Sequence, residues 1–113
     1  MINNTTLVGR LTKDPELRKT QNGTSVVSFT VAIQRMIQKE GSPEADFINC
    51  IAFNKIADNL AKYMKKGSMI GVVGRLQSRS YDDKDGKRIY ITEVVADTIE
   101  FLSFNTDKQN TEE

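Results

Sequence analysis

The chain has 113 residues, 38% of them apolar, with 16 Lys and Arg against 15 Asp and Glu for a formal charge of +1. That length builds one domain with a real core and leaves no room for a second. No histidine and a single Cys50 exclude an internal disulfide, a Cys/His metal site and most triads or imidazole acid–base schemes, so no catalytic residue, metal ligand or cofactor is assigned.

The opening MINNTTLVGR lacks the basic and long apolar regions of a signal peptide, and no run approaches membrane-spanning length, which makes a cytosolic protein the default. Residues 105–113, NTDKQNTEE, hold three acids and one base. Without them 15 bases face 12 acids, a charge of +3 on the body. Any polyanion binding therefore depends on local clustering rather than a whole-domain field. The division expected is a domain over 1–104 and a disordered polar tail over 105–113.

In chain order, TTLVGRL is a short apolar strand that ends before the turn-prone Asp14-Pro15. Asn22-Gly23 marks a turn, and the strand after it alternates, with Val27, Phe29, Val31 and Ile33 on one face and Ser28, Thr30, Ala32 and Gln34 on the other. A loop through Glu40-Gly41-Ser42-Pro43 leads to DFINCIAF, a third strand with two apolar faces. Phe47, Ile51 and Phe53 lie with Asn49; Ile48, Cys50 and Ala52 lie opposite. Pattern does not say which set is inward, since buried aromatics are common and small residues also fill cores.

Ile56, Ala57, Leu60, Ala61 and Met64 then recur at helical spacing over about 55–65, with Asn54 as candidate N-cap and Lys65, Lys66 and Gly67 closing the end. A long hairpin follows, from near Met69 through Asp85-Gly86 to about Phe101. Strand, strand, strand, helix, strand, strand is the order of an OB-fold, a five-stranded, partly open Greek-key barrel.

The hairpin carries the chemistry. A two-residue Asp85-Gly86 turn sets Tyr81 opposite Tyr90. One face then holds Arg75, Gln77, Arg79, Tyr81, Arg88, Tyr90 and Thr92, and the other Leu76, Ser78, Ser80, Ile89, Ile91 and Val95. A three-residue loop would break that pairing. Guanidinium groups neutralise phosphates and exposed rings stack bases, so a mixed face suits a flexible nucleic acid strand. The alternative is a solvated strand with tyrosines covering the barrel end. Arg18, Lys19 and Arg35 could extend a basic track, or be ordinary surface. Asp82, Asp83 and Asp85 lack the spacing of a calcium loop and read as turn formers.

LVGRLTKDPELR at 7–18, NG at 22, DFINCIAF at 46–53, YMKKGS at 63–68, GRLQSRSY at 74–81 and YITEVVAD at 90–97 closely resemble the bacterial-type single-stranded DNA-binding proteins. The resemblance covers residues 1–102. It implies an OB-fold, usually a homotetramer, that wraps single-stranded DNA with little sequence preference during replication, recombination and repair, associated with the nucleoid. It places stacking rings at Phe47, Phe53 and Tyr81, which puts Cys50 inside, and phosphate contacts at Arg75, Arg79 and Lys55. Arg18, Arg35, Arg88 and Tyr90 complete the expected site.

Two departures stand out. Some relatives carry another aromatic after the second strand, where this chain has Met36 and Ile37, and there is no Trp. Relatives also end in an acidic tip with apolar residues that recruits replication and repair proteins, whereas this chain stops at TEE. Either it is shortened, or this member, a phage-encoded version being one option, recruits partners differently. Two other functions stay open: an OB-like adaptor that docks its tyrosine hairpin on a protein, and an RNA-binding module.

Overall fold

The structure, a computed structural model, describes residues 1–36, 40–41 and 44–103. Ile37, Ser42, Pro43 and the tail 105–113, on which expectations were placed above, lie outside these residues. The elements are β1 (Thr5–Leu11), β2 (Glu16–Lys19), β3 (Ser25–Gln34), β4 (Ala45–Phe53), α1 (Asn54–Tyr63), β5 (Met69–Asp82) and β6 (Arg88–Ser103). The extra strand is β2, which folds back on β3 across Asn22-Gly23, where Gly23 takes a positive φ of 84°. All four residues of β2 are exposed, so it has no apolar alternation by which a sequence could announce it.

One sheet runs in the order β1-β5-β6-β4-β3-β2 and curls until β1 also meets β3, at Arg10↔Ala32 and Leu11↔Val31. β4 and β6 touch in parallel through only Cys50↔Val94 and Ile51↔Val95. The barrel is therefore partly open, and the architecture is the OB-fold. Closure demands close backbone approach at two glycines. A Cβ on Gly9 would lie 2.4 Å from the Ala32 carbonyl oxygen, and one on Gly74 only 1.9 Å from that of Val95. Gly74 sits at a break in the β5–β6 register, between Val73↔Thr98 and Gly74↔Ala96, where the extra residue on β6 is Asp97.

The interior is lined by Val27, Phe29 and Val31 of β3, Cys50 and Ala52 of β4, Ile70 and Val72 of β5, and Val94 and Ala96 of β6. Helix α1 adds Ala57 and Leu60, both fully buried, on one amphipathic stripe. Asn54 does not cap this helix: no side-chain cap bond is made at its N-terminus. It instead turns the chain from β4 into α1 in the left-handed region, with φ 61°, a conformation asparagine tolerates better than most residues.

The tip of the hairpin departs from the expected two-residue turn. The Asp83 amide donates to the Lys87 carbonyl and the Gly86 amide to the Asp83 carbonyl, leaving a three-residue loop with Gly86 at φ 81°. The Asp83 carboxylate receives the amides of Asp85 and Lys87, both at 2.9 Å, which favours a turn opening at Asp83. Tyr81 consequently pairs with Ile89, Ser80 with Tyr90 and Asp82 with Arg88. This one-residue change moves Arg88 and Tyr90 to the face opposite Arg75, Arg79 and Tyr81.

Gly74→Ala should lose at least about 2 kcal/mol of stability through forced backbone displacement. Gly71→Ala, whose Cβ would meet Leu102 Cδ1 and the Leu7 carbonyl oxygen at an ordinary 3.8 Å, should change stability by less than about 1 kcal/mol. Urea denaturation of the two variants checks the contrast.

Candidate nucleic-acid interface

The β3–β4 register resolves the two-faced strand. Phe29 pairs with Cys50 and Val27 with Ala52 facing the interior, so Val26↔Phe53 and Ala32↔Phe47 face outward. Cys50 is 2% exposed and Phe47 65% exposed. Burial pushes the Cys50 thiol up to about 12, with the charge of Glu93 adding to the effect, so it is an inert core group. Phe53 packs on Val26, Ile51 and Val95, a small apolar cluster on the outside of the sheet. Its ring is thereby fixed in orientation while it remains partly open to solvent.

Arg18 of β2 reaches the same face by pairing with Val26, and its Nη2 donates to Ser28 Oγ at 3.3 Å. From the other side of the sheet come Arg75, Gln77, Arg79 and Tyr81 of β5, paired with Val95, Glu93, Ile91 and Ile89. Arg18, Lys19, Phe53 and Arg79 line one groove of about 400 Å³ floored by Val26 and Ile51. Arg79 also borders an adjoining cavity of about 220 Å³, lined by Lys13, Ser28, Thr30, Asn49 and Glu93 among others. The two cavities thus join at Arg79, with Phe53 lining the first, and Tyr81, 48% exposed, lies two residues farther along β5.

Arg79 is held in place from below. Its Nε donates to Glu93 Oε2 at 2.8 Å, and Gln77 Nε2 donates to the same oxygen at 2.9 Å. Glu93 is only 5% exposed. Burial acts to raise its carboxyl, but the bonds from Arg79 and Gln77 outweigh that and hold it below the usual carboxylate range. Arg75 makes a looser exposed pair, Nη1 to Asp97 Oδ1 at 3.2 Å.

The remaining candidates sit apart. Arg35 forks onto Asp46, with Nη2 to Oδ1 at 2.7 Å and Nε to both carboxylate oxygens at 3.2 Å. These bonds hold Asp46 below its ordinary range, and the register sets the pair on the face opposite Phe47. Arg88 lies with Asp82 (3.3 Å) and Tyr90 behind the hairpin. Lys55, exposed at the start of α1, follows Phe53 by two residues. Sequence reasoning grouped Asn49 with Phe47 and Phe53, as the register has it, but missed Lys13 and Glu93 as members of this face. Lys13 lies outside any periodic segment, and Glu93 reads simply as a polar position in a strand.

Among the described residues no group of three or more His, Cys, Asp or Glu is placed to hold a metal ion, and no helix is long and apolar enough to cross a membrane.

Arg79→Ala should destabilise the protein at neutral pH by taking one of two donors from a buried carboxylate. A carboxyl lowered in the folded state adds stability above its unfolded pKa, and that increment is lost as pH falls through the folded value. The wild type should therefore weaken as pH drops below the ordinary carboxylate range, and its advantage over Arg79→Ala should shrink there. Urea titrations of both proteins at neutral and acid pH measure this.

The profile of the Single-strand binding protein family matches residues 2–102. Over 109 residues the chain is 59% identical to "Single-stranded DNA-binding protein 1" of Staphylococcus aureus (strain MSSA476), covering 95% of this chain and 70% of that protein. It is 54% identical over 103 residues to "Single-stranded DNA-binding protein" of Oceanobacillus iheyensis, covering 90% and 64%. A Bacillus cereus protein of the same name is 55% identical over 103 residues, covering 90% and 61%. These relatives are bacterial and lend no support to a phage origin. With the profile spanning the barrel from before β1 to the next-to-last residue of β6, the chain belongs to the single-strand binding protein family.

Proposed function

We propose that this chain binds single-stranded DNA without requiring a fixed sequence, and so shelters exposed strands during replication, recombination and repair. The observation that carries this is the groove on the outer face of the sheet that Phe53 lines together with Arg18 and Arg79. A π-face serves any base, and flanking guanidinium groups follow the backbone whatever the sequence. The relatives' names agree with it. Such coating is binding without chemistry, in keeping with a family of non-catalytic DNA-binding proteins.

In this proposal the track runs over Arg18, Phe53, Arg79 and Tyr81, with Phe47, Arg75 and Lys55 beside it. Arg88 and Tyr90 face the other way and contribute less, and Arg35 is occupied by Asp46. The active form is proposed as a homotetramer. Exposed Val8, Val73 and Leu102, on the outside of the barrel along β1, β5 and β6, support self-association. Recruitment of replication and repair proteins is proposed as a separate property, not built from this face.

Oligo-dT titrations should show log affinity falling with log salt by about 0.7 for each phosphate neutralised. Affinity indifferent to salt would rule out a backbone-held strand. Phe53→Ala and Tyr81→Ala should each lose ~1–3 kcal/mol of binding, the general range for base stacking on single-strand binding proteins of this kind. Tyr90→Ala should lose clearly less than Tyr81→Ala. Tyrosine fluorescence unquenched by oligo-dT would favour a protein-docking adaptor, and tighter binding of oligo-U than of oligo-dU would favour an RNA module.

A further inference from the structure

A polar row crosses the outer face between its aromatic groups. Thr30 pairs with Asn49 across β3 and β4, and Gln77 with Glu93 across β5 and β6. The parallel contact Cys50↔Val94 sets Asn49 beside Glu93 in the middle. Phe47 and Phe53 stand on β4 to either side of Asn49, two and four residues away. Asn49 and Glu93 both line the cavity of about 220 Å³ that Arg79 joins to the main groove.

The donors and acceptors of this row are divided in a particular way. Both hydrogen bonds to Glu93, from Gln77 and Arg79, fall on Oε2. Oε1 receives neither, and no buried side-chain nitrogen or oxygen among the described residues goes without a partner, so Oε1 keeps some solvent access on a residue that lines the cavity. Asn49 Oδ1 accepts from Thr30 Oγ1 at 3.2 Å, which leaves its amide N–H groups for another acceptor. The cavity thus presents a carboxylate acceptor whose other oxygen is anchored, beside an amide donor.

We propose that this cavity takes the edge of one unpaired base, with Glu93 Oε1 accepting from an exocyclic amino group, and so biases binding toward amino-bearing bases. A carboxylate oxygen matches the N4 amino group of cytosine. The N3–H of uracil or thymine is flanked by two carbonyl oxygens that a carboxylate repels. The Asn49 amide can donate to base carbonyls, so the site shifts preference without excluding any base. This is a base-reading role for a face otherwise suited to sequence-tolerant stacking, and it rests on the DNA-binding function proposed above.

The test compares oligo-dC with oligo-dU of one length at fixed salt, using wild type, Glu93→Gln, Asn49→Asp and Phe53→Ala. In Glu93→Gln the amide oxygen keeps the bonds from Arg79 and Gln77, and an NH₂ group replaces the acceptor in the cavity. The dC-to-dU affinity ratio should then fall by roughly fivefold, the scale of one hydrogen bond. Asn49→Asp replaces the donor by a second acceptor and should move the ratio the other way. Because Asn49 is exposed, this variant decides the matter alone if Glu93→Gln does not fold. Ratios unchanged in the folded variants, with Phe53→Ala still weakening both oligonucleotides, would overturn base reading and leave single-strand binding intact. Phe53→Ala without effect on either oligonucleotide would remove the DNA-binding face and this inference with it.

Discussion

The pairing of β3 with β4 is the constraint from which the candidate site follows. The barrel interior is already filled by Phe29 from β3 and Leu60 from α1, so the facing positions on β4 must be small, and Cys50 and Ala52 supply them. Alternation along the strand then forces Phe47 and Phe53 outward, where rings of that size would not ordinarily be left. Exposed aromatics here are a consequence of how the core is packed. The cluster of Val26, Ile51 and Val95 packs against Phe53 and gives that ring a seat on the outer face.

The same economy governs charge. Among the described residues four arginines have carboxylate partners: Arg35 with Asp46, Arg75 with Asp97, Arg79 with Glu93 and Arg88 with Asp82. This explains how a chain of net charge +1 can still present guanidinium groups in order. The pairs are not equivalent. Arg75–Asp97 and Arg88–Asp82 are more than half exposed on both sides, and pairs of that kind contribute little to stability. A phosphate could replace the carboxylate there at small cost. Glu93 is buried and doubly bonded through one oxygen, so Arg79 keeps its partner through Nε while its terminal nitrogens remain for another anion.

Much of this was legible in the residues. The alternation of Val27, Phe29, Val31 and Ile33, the helical spacing of Ala57 and Leu60, and the single helix between DFINCIAF and the long hairpin all survive in the structure, because burial against a single core imposes those periods directly. Arg75, Arg79 and Tyr81 share a face for the same reason: they are alternate residues of one strand. Failures occurred where two strands had to be aligned. Asp85-Gly86 signals a tight turn, but the carboxylate of Asp83 and the positive φ of Gly86 together stabilise a loop one residue longer, and Tyr90 and Arg88 change sides. β2, Lys13 and Glu93 had no local signature at all.

Readable from the residues alone were the class of fold, the inward set Val27, Phe29 and Val31 of β3, the lack of imidazole, and arginine and tyrosine on alternate residues of a long arm. These depend on composition and on periods that a single segment carries. Assembly of the sheet was needed to turn Ile89, Ile91 and Val95 onto the outer face, to bring Arg18, Phe53 and Arg79 from three strands to one groove, and to set a buried glutamate beneath the arginine. Those depend on register and on sheet closure. Both are set by how distant segments compete for the same interior volume, a quantity that no local pattern records.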